Sequence, residues 1–246
     1  MVYALLVLAG LWAGLQNALA GGGSFVTLPA LILSGMSPLA ANITSTVALF
    51  PGQLTSGWAG RRLVTGTPAL SVRALVALSL AGGAVGAWLL LNTPSSVFAR
   101  LVPWLVLFAT SVFAWGSFLR KPVAEGGHLG AAPTALMQFL IAIYGGYFGG
   151  GIGFLMLAAL TVAGMSTRHA GATKNVLAGI MNASAVALFV TSPEVHWAQA
   201  AVLGSAALLG GLAGAWALHR VNEQALRLAI VALGVALTVG LFLRPI

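Results

Sequence analysis

AGGGSFVTLPALILSGMSPLAANITSTV, residues 20–47, and GGGIGFLMLAALTVAGMSTRHAGATKNV, residues 149–176, lie on one another at an offset of 129 residues without a gap. Identical pairs include Gly21/Gly150, Gly22/Gly151, Phe25/Phe154, Gly35/Gly164, Met36/Met165, Ser37/Ser166 and Thr44/Thr173. Shared glycine, alanine and leucine bias produces some such matches. It does not produce Gly-Met-Ser and the later threonine in one register. The chain therefore reads as an internal duplication. Each copy opens on a glycine run (Gly21, Gly22, Gly23 and Gly149, Gly150, Gly151) that frees the backbone to leave a helix. At membrane depth a broken helix is tolerated only where the freed groups face protein or a water-filled cavity. Broken apolar segments at corresponding positions of two halves point to a transporter binding site.

Outward from this pair, composition assigns the solvent. Of 246 residues 59% are apolar and only 6% charged, whereas a water-facing surface wants roughly a quarter to a third charged. The mean hydropathy is +1.01. Eight apolar windows are bounded by charge, proline or polar clusters: 2–20 with an extension 24–33, 39–60, 69–91, 98–119, 132–148 with an extension 153–163, 169–190, 197–218 and 225–243. A spanning helix needs about 20 such residues. The expected fold is an all-α polytopic integral membrane protein of two internal repeats, residues 1–119 and 132–246, joined by a loop at 120–131. Residues 1–17 carry no Lys or Arg, so the Ala18-Leu19-Ala20 stretch is not expected to be a signal-peptide cleavage site. Isolated glycines such as Gly82, Gly83, Gly86, Gly210, Gly211 and Gly214 are expected to serve close helix packing.

Two topologies fit the windows. If all eight cross, basic residues divide six against five between the faces, which is no bias. In the alternative, 24–33 enters as a half-helix, turns at 35–38 and returns to about Phe50, where Pro51-Gly52 breaks the chain; its counterpart turns at 164–167. Each half then has three full crossings, the halves are inverted, and the division is seven against two with Arg168 and Lys174 inside. That bias matches cytoplasmic loops, and the inverted arrangement is the favoured one. It brings both turns to the midplane, where Ser37-Pro38 and Ser166-Thr167 read as helix starts whose positive ends suit an anion. Asn42, Thr44, Ser45, Thr173 and Asn175 would supply hydroxyls and amides, and Arg168, His169 and Lys174 cations. Asn17, Gln53 and Asn182 would complete the lining.

What is missing narrows the chemistry. All three carboxylates, Glu125, Glu194 and Glu223, fall at segment ends, so no acid is available inside the membrane for cation or proton relay. The expected substrate is an anion. With no cysteine, thiolate and iron–sulfur chemistry is excluded. His128, His169, His196 and His219 are isolated, so no metal site is expected. GGGIG at 149–153 looks like a phosphate loop but lacks its Lys-Ser/Thr. Ser24 has Gly153 as its repeat partner, which argues against a nucleophile. No enzyme and no cofactor are expected. The net charge of +8 is spread singly or in pairs between apolar runs, so loops that set topology explain it and nucleic acid does not.

The glycine-led duplication, its Ala-x-x-Thr elements (Ala41 to Thr44, Ala170 to Thr173) and GATKNVLAGIMNA at 171–183 resemble the TauE/SafE sulfite exporter family over essentially the whole chain. The resemblance implies a multi-pass plasma-membrane transporter in the bacterial or archaeal inner membrane. It would carry a small anionic substrate, sulfite, sulfoacetate or a related organic anion, usually outward, with the lipid bilayer as surroundings and a homodimer left open. Pro29 faces Ala158 in the repeat, and Lys174 and Arg168 face Ser45 and Leu39. The two half-sites are thus expected to differ. A passive anion channel and a non-transporting membrane scaffold remain the alternatives.

Overall fold

A computed structural model describes residues 2–19, 22–119, 129–217 and 223–243. The described residues form ten α-helices and no strand: α1 (Val2–Leu19), α2 (Ser24–Leu33), α3 (Pro38–Gly60), α4 (Val72–Leu91), α5 (Ser95–Ala114), α6 (Ala131–Tyr147), α7 (Ile152–Val162), α8 (Thr167–Phe189), α9 (Trp197–Ala217) and α10 (Glu223–Leu243). A single turn, Arg61–Leu63, extends α3, and a wider π turn, Trp115–Leu119, extends α5. The windows and their two extensions read from sequence reappear as these helices. A shift of 129 residues carries the bounds of α3 onto those of α8.

The glycines set the chain's corners. Gly35 (φ +97°) ends α2 with its N–H on the Ile32 carbonyl (3.0 Å) and the Met36 N–H on Leu31 (3.3 Å). Gly164 (φ +96°) ends α7 with the same two bonds, to Thr161 (3.0 Å) and Leu160 (3.1 Å). This is the closure that a left-handed glycine allows at a helix end. Gly22 (φ +84°) and Gly151 (φ +73°) make the matching breaks ahead of α2 and α7.

Contacts fix the directions. Gly10 and Gly14 of α1 meet Leu203, Ala206, Ala207 and Gly211 of α9 in ascending order, so α1 and α9 run together. Gly82 and Gly86 of α4 meet Phe139, Ala142, Ile143 and Tyr147 of α6 in the same sense. Helix α3 opposes α8, since Gly60 faces Ala172, Gly57 faces Asn175 and Gln53 bonds Asn182. Helix α5 opposes α10, with Trp104 on Phe242, Thr110 by Gly234 and Ser117 accepting from Arg227. Pairings recur across the halves: α1 packs on α9 and α6 on α4, α3 on α9 and α8 on α4, α2 on α3 and α7 on α8. Four of the six glycines expected to serve packing do so: a Cβ on Gly82, Gly83, Gly86 or Gly210 would collide with the neighbouring backbone or side chains, whereas one on Gly211 would meet only the Gly14 carbonyl at 3.7 Å.

Among the described residues three helices are long and apolar enough to cross a membrane by length and composition: Val72–Leu91, Ser95–Phe118 and Trp197–Gly214. Helices α3 and α8, 23 residues each, span about 34 Å at 1.5 Å per residue. They carry more polar residues but pack on each other and on α4 and α9. Large apolar side chains such as Leu33, Trp104, Leu136, Leu209 and Leu212 line the outside, while Thr27, Asn42, Thr44, Ser45, Thr173 and Asn182 are buried.

Two expectations are corrected. Helix α3 does not stop near Phe50: it runs through Pro51 to Gly60. Pro51 lies on an exposed position, so its ring interrupts one backbone bond while packing on α8 and α9 carries the helix past it. The hairpin that returns to its own end is therefore α1–α2, and α6–α7 in the second half. The turns at 34–37 and 164–167 do not meet at the centre either. They cap opposite ends of the antiparallel α3/α8 pair, about 30 Å apart.

Candidate functional site

The predicted constellation divides between those ends. At one, Ser37 caps α3, accepting from the Ala40 N–H at 3.2 Å. Asn42 Nδ2 donates to the Tyr147 carbonyl at 3.1 Å. Thr44 Oγ1 donates to the Glu194 carbonyl (3.3 Å) and accepts from the His196 N–H (3.2 Å). At the other end Thr173 Oγ1 donates to the Thr65 carbonyl (3.1 Å) and accepts from the Thr65 N–H (3.2 Å). Residues 65 and 194 are themselves 129 apart. The two threonines are thus matching clamps that tie each long helix to the loop following the other, and their hydroxyls are spent on backbone.

Ser166 Oγ and His169 Nδ1 lie 2.9 Å apart. They line an open cavity of about 360 Å³ with Thr65, Gly66, Thr67 and Gly164. Arg168 is exposed in the first turn of α8. Six residues separate it from Lys174, which puts the two on different faces of the helix, so they do not form one cationic pair. Asn175 is partly buried, its carbonyl against Gly57. Gln53 and Asn182, again 129 apart, bond each other at 2.5 Å and join α3 to α8 rather than lining a site. Asn17 accepts from the Gly23 N–H at 2.7 Å. Gly21, Arg120, Lys121, Glu125, His128, His219, Arg220 and Arg244 lie outside the described residues.

What does converge is the pair of glycine breaks. Phe25, at the start of α2, stands edge-on to Phe113 of α5 with centroids 6.1 Å apart; Phe154, its repeat partner at the start of α7, lies 4.3 Å from the same ring. Ser24 and Gly150 line one small apolar cavity of about 10 Å³ with Phe25, Val106, Phe148 and Leu237. Two half-helices of 10 and 11 residues thus enter from opposite ends and present their N-termini to the middle of the molecule. These are positive ends with unpaired N–H groups. Sequence reading had the segments right but expected their C-terminal turns to meet, whereas it is their N-terminal breaks that converge. The identical Phe25/Phe154 pair was the signal available for the other end; Phe113, outside the duplicated stretch, gave none.

The breaks are finished differently. In the first, Gln16 Nε2 donates to the Gly22 carbonyl at 2.7 Å and Asn17 takes the Gly23 N–H. In the second, Tyr144 Oη donates to the Gly150 carbonyl at 2.8 Å, and no side chain caps α7. Beside it stands Lys174, only partly exposed, with Nζ 3.4 Å from where a Cβ on Gly153 would be. At the position of Lys174 in the first half, Ser45 shares a 2.6 Å hydrogen bond with Thr27. Among the described residues no group of three or more His, Cys, Asp or Glu could hold a metal.

The family model described as sulfite exporter TauE/SafE matches residues 6–241. The chain belongs to this family. Its relatives include a probable membrane transporter protein of Haemophilus influenzae, 26% identical over 96% of this chain and 92% of that one. The probable membrane transporter protein ORF9 of a Sinorhizobium species is 28% identical over 98% and 93%. The probable membrane transporter protein YfcA of Escherichia coli K12 is 26% identical over 93% and 85%. This TauE/SafE chain is accordingly a membrane transporter and not an enzyme.

Proposed function

We propose that the protein is a secondary transporter of a small sulfur-containing oxyanion, sulfite or an organosulfonate, working in the export direction across the plasma membrane. The observation that carries this reading is the meeting of the α2 and α7 N-termini at Phe113, which both Phe25 and Phe154 reach. Discontinuous helices whose N-termini point at anionic groups near the midplane are a recurring transporter device. The family description names sulfite, and the absence of carboxylates from the apolar segments argues against a cation as cargo.

The same reading makes the halves inverted repeats. Its support is that equivalent helices oppose each other (α3 against α8, α5 against α10) and that packing partners exchange under the 129-residue shift. Six helices then cross, α3, α4, α5, α8, α9 and α10, with α1–α2 and α6–α7 as hairpins returning to their own sides. Arg61, Arg62, Arg73, Arg168 and Arg227 fall at one end and Arg100 at the other, a bias that supports a cytoplasmic location for the first end. Rocking of the α1–α9 pair against the α4–α6 pair about the Gln53–Asn182 contact would alternate access.

The test is uptake of labelled sulfite into proteoliposomes, with and without a pH gradient, with sulfate, thiosulfate and sulfoacetate as competitors. Saturable, gradient-sensitive flux is expected. Flux proportional to concentration and indifferent to the gradient would replace the carrier with a channel, and no flux of any of these anions would overturn the substrate class.

A further inference from the structure

We propose that the N-terminus of α7 and Lys174 together form a single oxyanion site in each chain, and that the equivalent position at α2 is plugged by the protein's own side chains. This rests on the anion-transport reading above and assigns its site.

The N–H groups of Gly151, Ile152 and Gly153 find no acceptor among the described residues. They open an 11-residue helix whose dipole presents positive charge there. Lys174 adds a full positive charge at the same point. Its side chain is only partly exposed, its ammonium lies against Gly153, and no hydrogen bond or ion pair engages it among the described residues. A cation facing a helix N-terminus is repelled by it, and three N–H groups and an ammonium are donors without an acceptor. One ligand class removes every part of that conflict: a compact oxyanion with at least three oxygens on one centre, as in sulfite, sulfate or the head of a sulfonate. Gly153 matters because any larger residue would place its Cβ in contact with Nζ.

At α2 each element is replaced by a neutral one. Asn17 Oδ1 occupies the Gly23 N–H, and Ser45, standing for Lys174, is satisfied by Thr27. The pseudo-symmetric half therefore offers no charge and has its central N–H donor already taken, and the stoichiometry is one anion per chain.

Equilibrium dialysis of radiolabelled sulfite against detergent-purified full-length protein tests this, with sulfate and sulfoacetate as further probes. Saturation at one anion per chain is expected, with at least tenfold weaker binding in Lys174→Met and Lys174→Gln and partial rescue in Lys174→Arg. Without anion, Lys174→Met should melt higher than the parent, because an uncompensated cation has gone, and it should lose the anion-dependent rise in melting temperature. Equal binding by the parent and both neutral variants, each monodisperse, overturns the site while leaving the transport reading standing. Two anions per chain overturns its one-sidedness. No binding of any of the three probes takes down the anion reading itself.

Discussion

Thr44 and Thr173 show how residue type and residue role part company. Buried hydroxyls in a polar cluster read as ligands for an anion, yet each is saturated by one carbonyl and one N–H of the loop it clamps. Replacing either by valine keeps the shape and strands a buried backbone donor and acceptor, a cost of about 1–3 kcal/mol. We expect Thr44→Val and Thr173→Val to lower stability to a similar extent in denaturant melts, with anion binding per folded molecule retained. A tenfold loss of binding in the folded fraction of Thr173→Val would return that hydroxyl to the site. Lys174 is the opposite case: its type suggests the role proposed for it, and among the described residues no hydrogen bond or ion pair competes for it.

At the scale of elements, the half-helices depend on glycine corners and the full-length pairs on glycine faces. Gly86 sits so close to Ile143 and Tyr147 of α6 that an added methyl must push two helices apart, costing about 1–3 kcal/mol as overpacking does. Gly171, in α8, has nothing within 4 Å of where its Cβ would be, so Gly171→Ala should stabilise by roughly 0.5–1 kcal/mol through helix propensity. Thermal melts of the two variants should move in opposite directions; a common direction would mean that the α4–α6 contact is slack. The sequence made the helices legible because apolar length and glycine interruption are local properties. It misplaced the end of the hairpin, because whether Pro51 stops α3 depends on α8 and α9 packing around it.

For the whole molecule the decisive quantity is which end faces which compartment. The chain contains no cysteine, so single cysteines can be placed without background. Ser37→Cys and Ser166→Cys, both exposed, should react with a membrane-impermeant thiol reagent from opposite sides, Ser166→Cys from the cytoplasm. Labelling of both from one side would end the inverted arrangement and with it the rocking motion. The packing makes such motion a property of both halves together: α1 lies on α9 and α6 on α4, so neither half is a body by itself.

The sequence by itself determined the solvent and the helices, and it supplied the grounds on which a duplication and an anionic cargo are proposed. The solvent follows from composition and the helices from apolar run length, both countable along one dimension. Only the tertiary structure decided which ends of the short helices meet. The turns at 34–37 and 164–167 and the breaks at 22 and 151 carry comparable glycine and polar signals. The antiparallel packing of α3 on α8 sends the first pair to opposite ends and leaves the second pair around Phe113. That outcome depends on residues far apart in the chain touching in space, which no local pattern encodes.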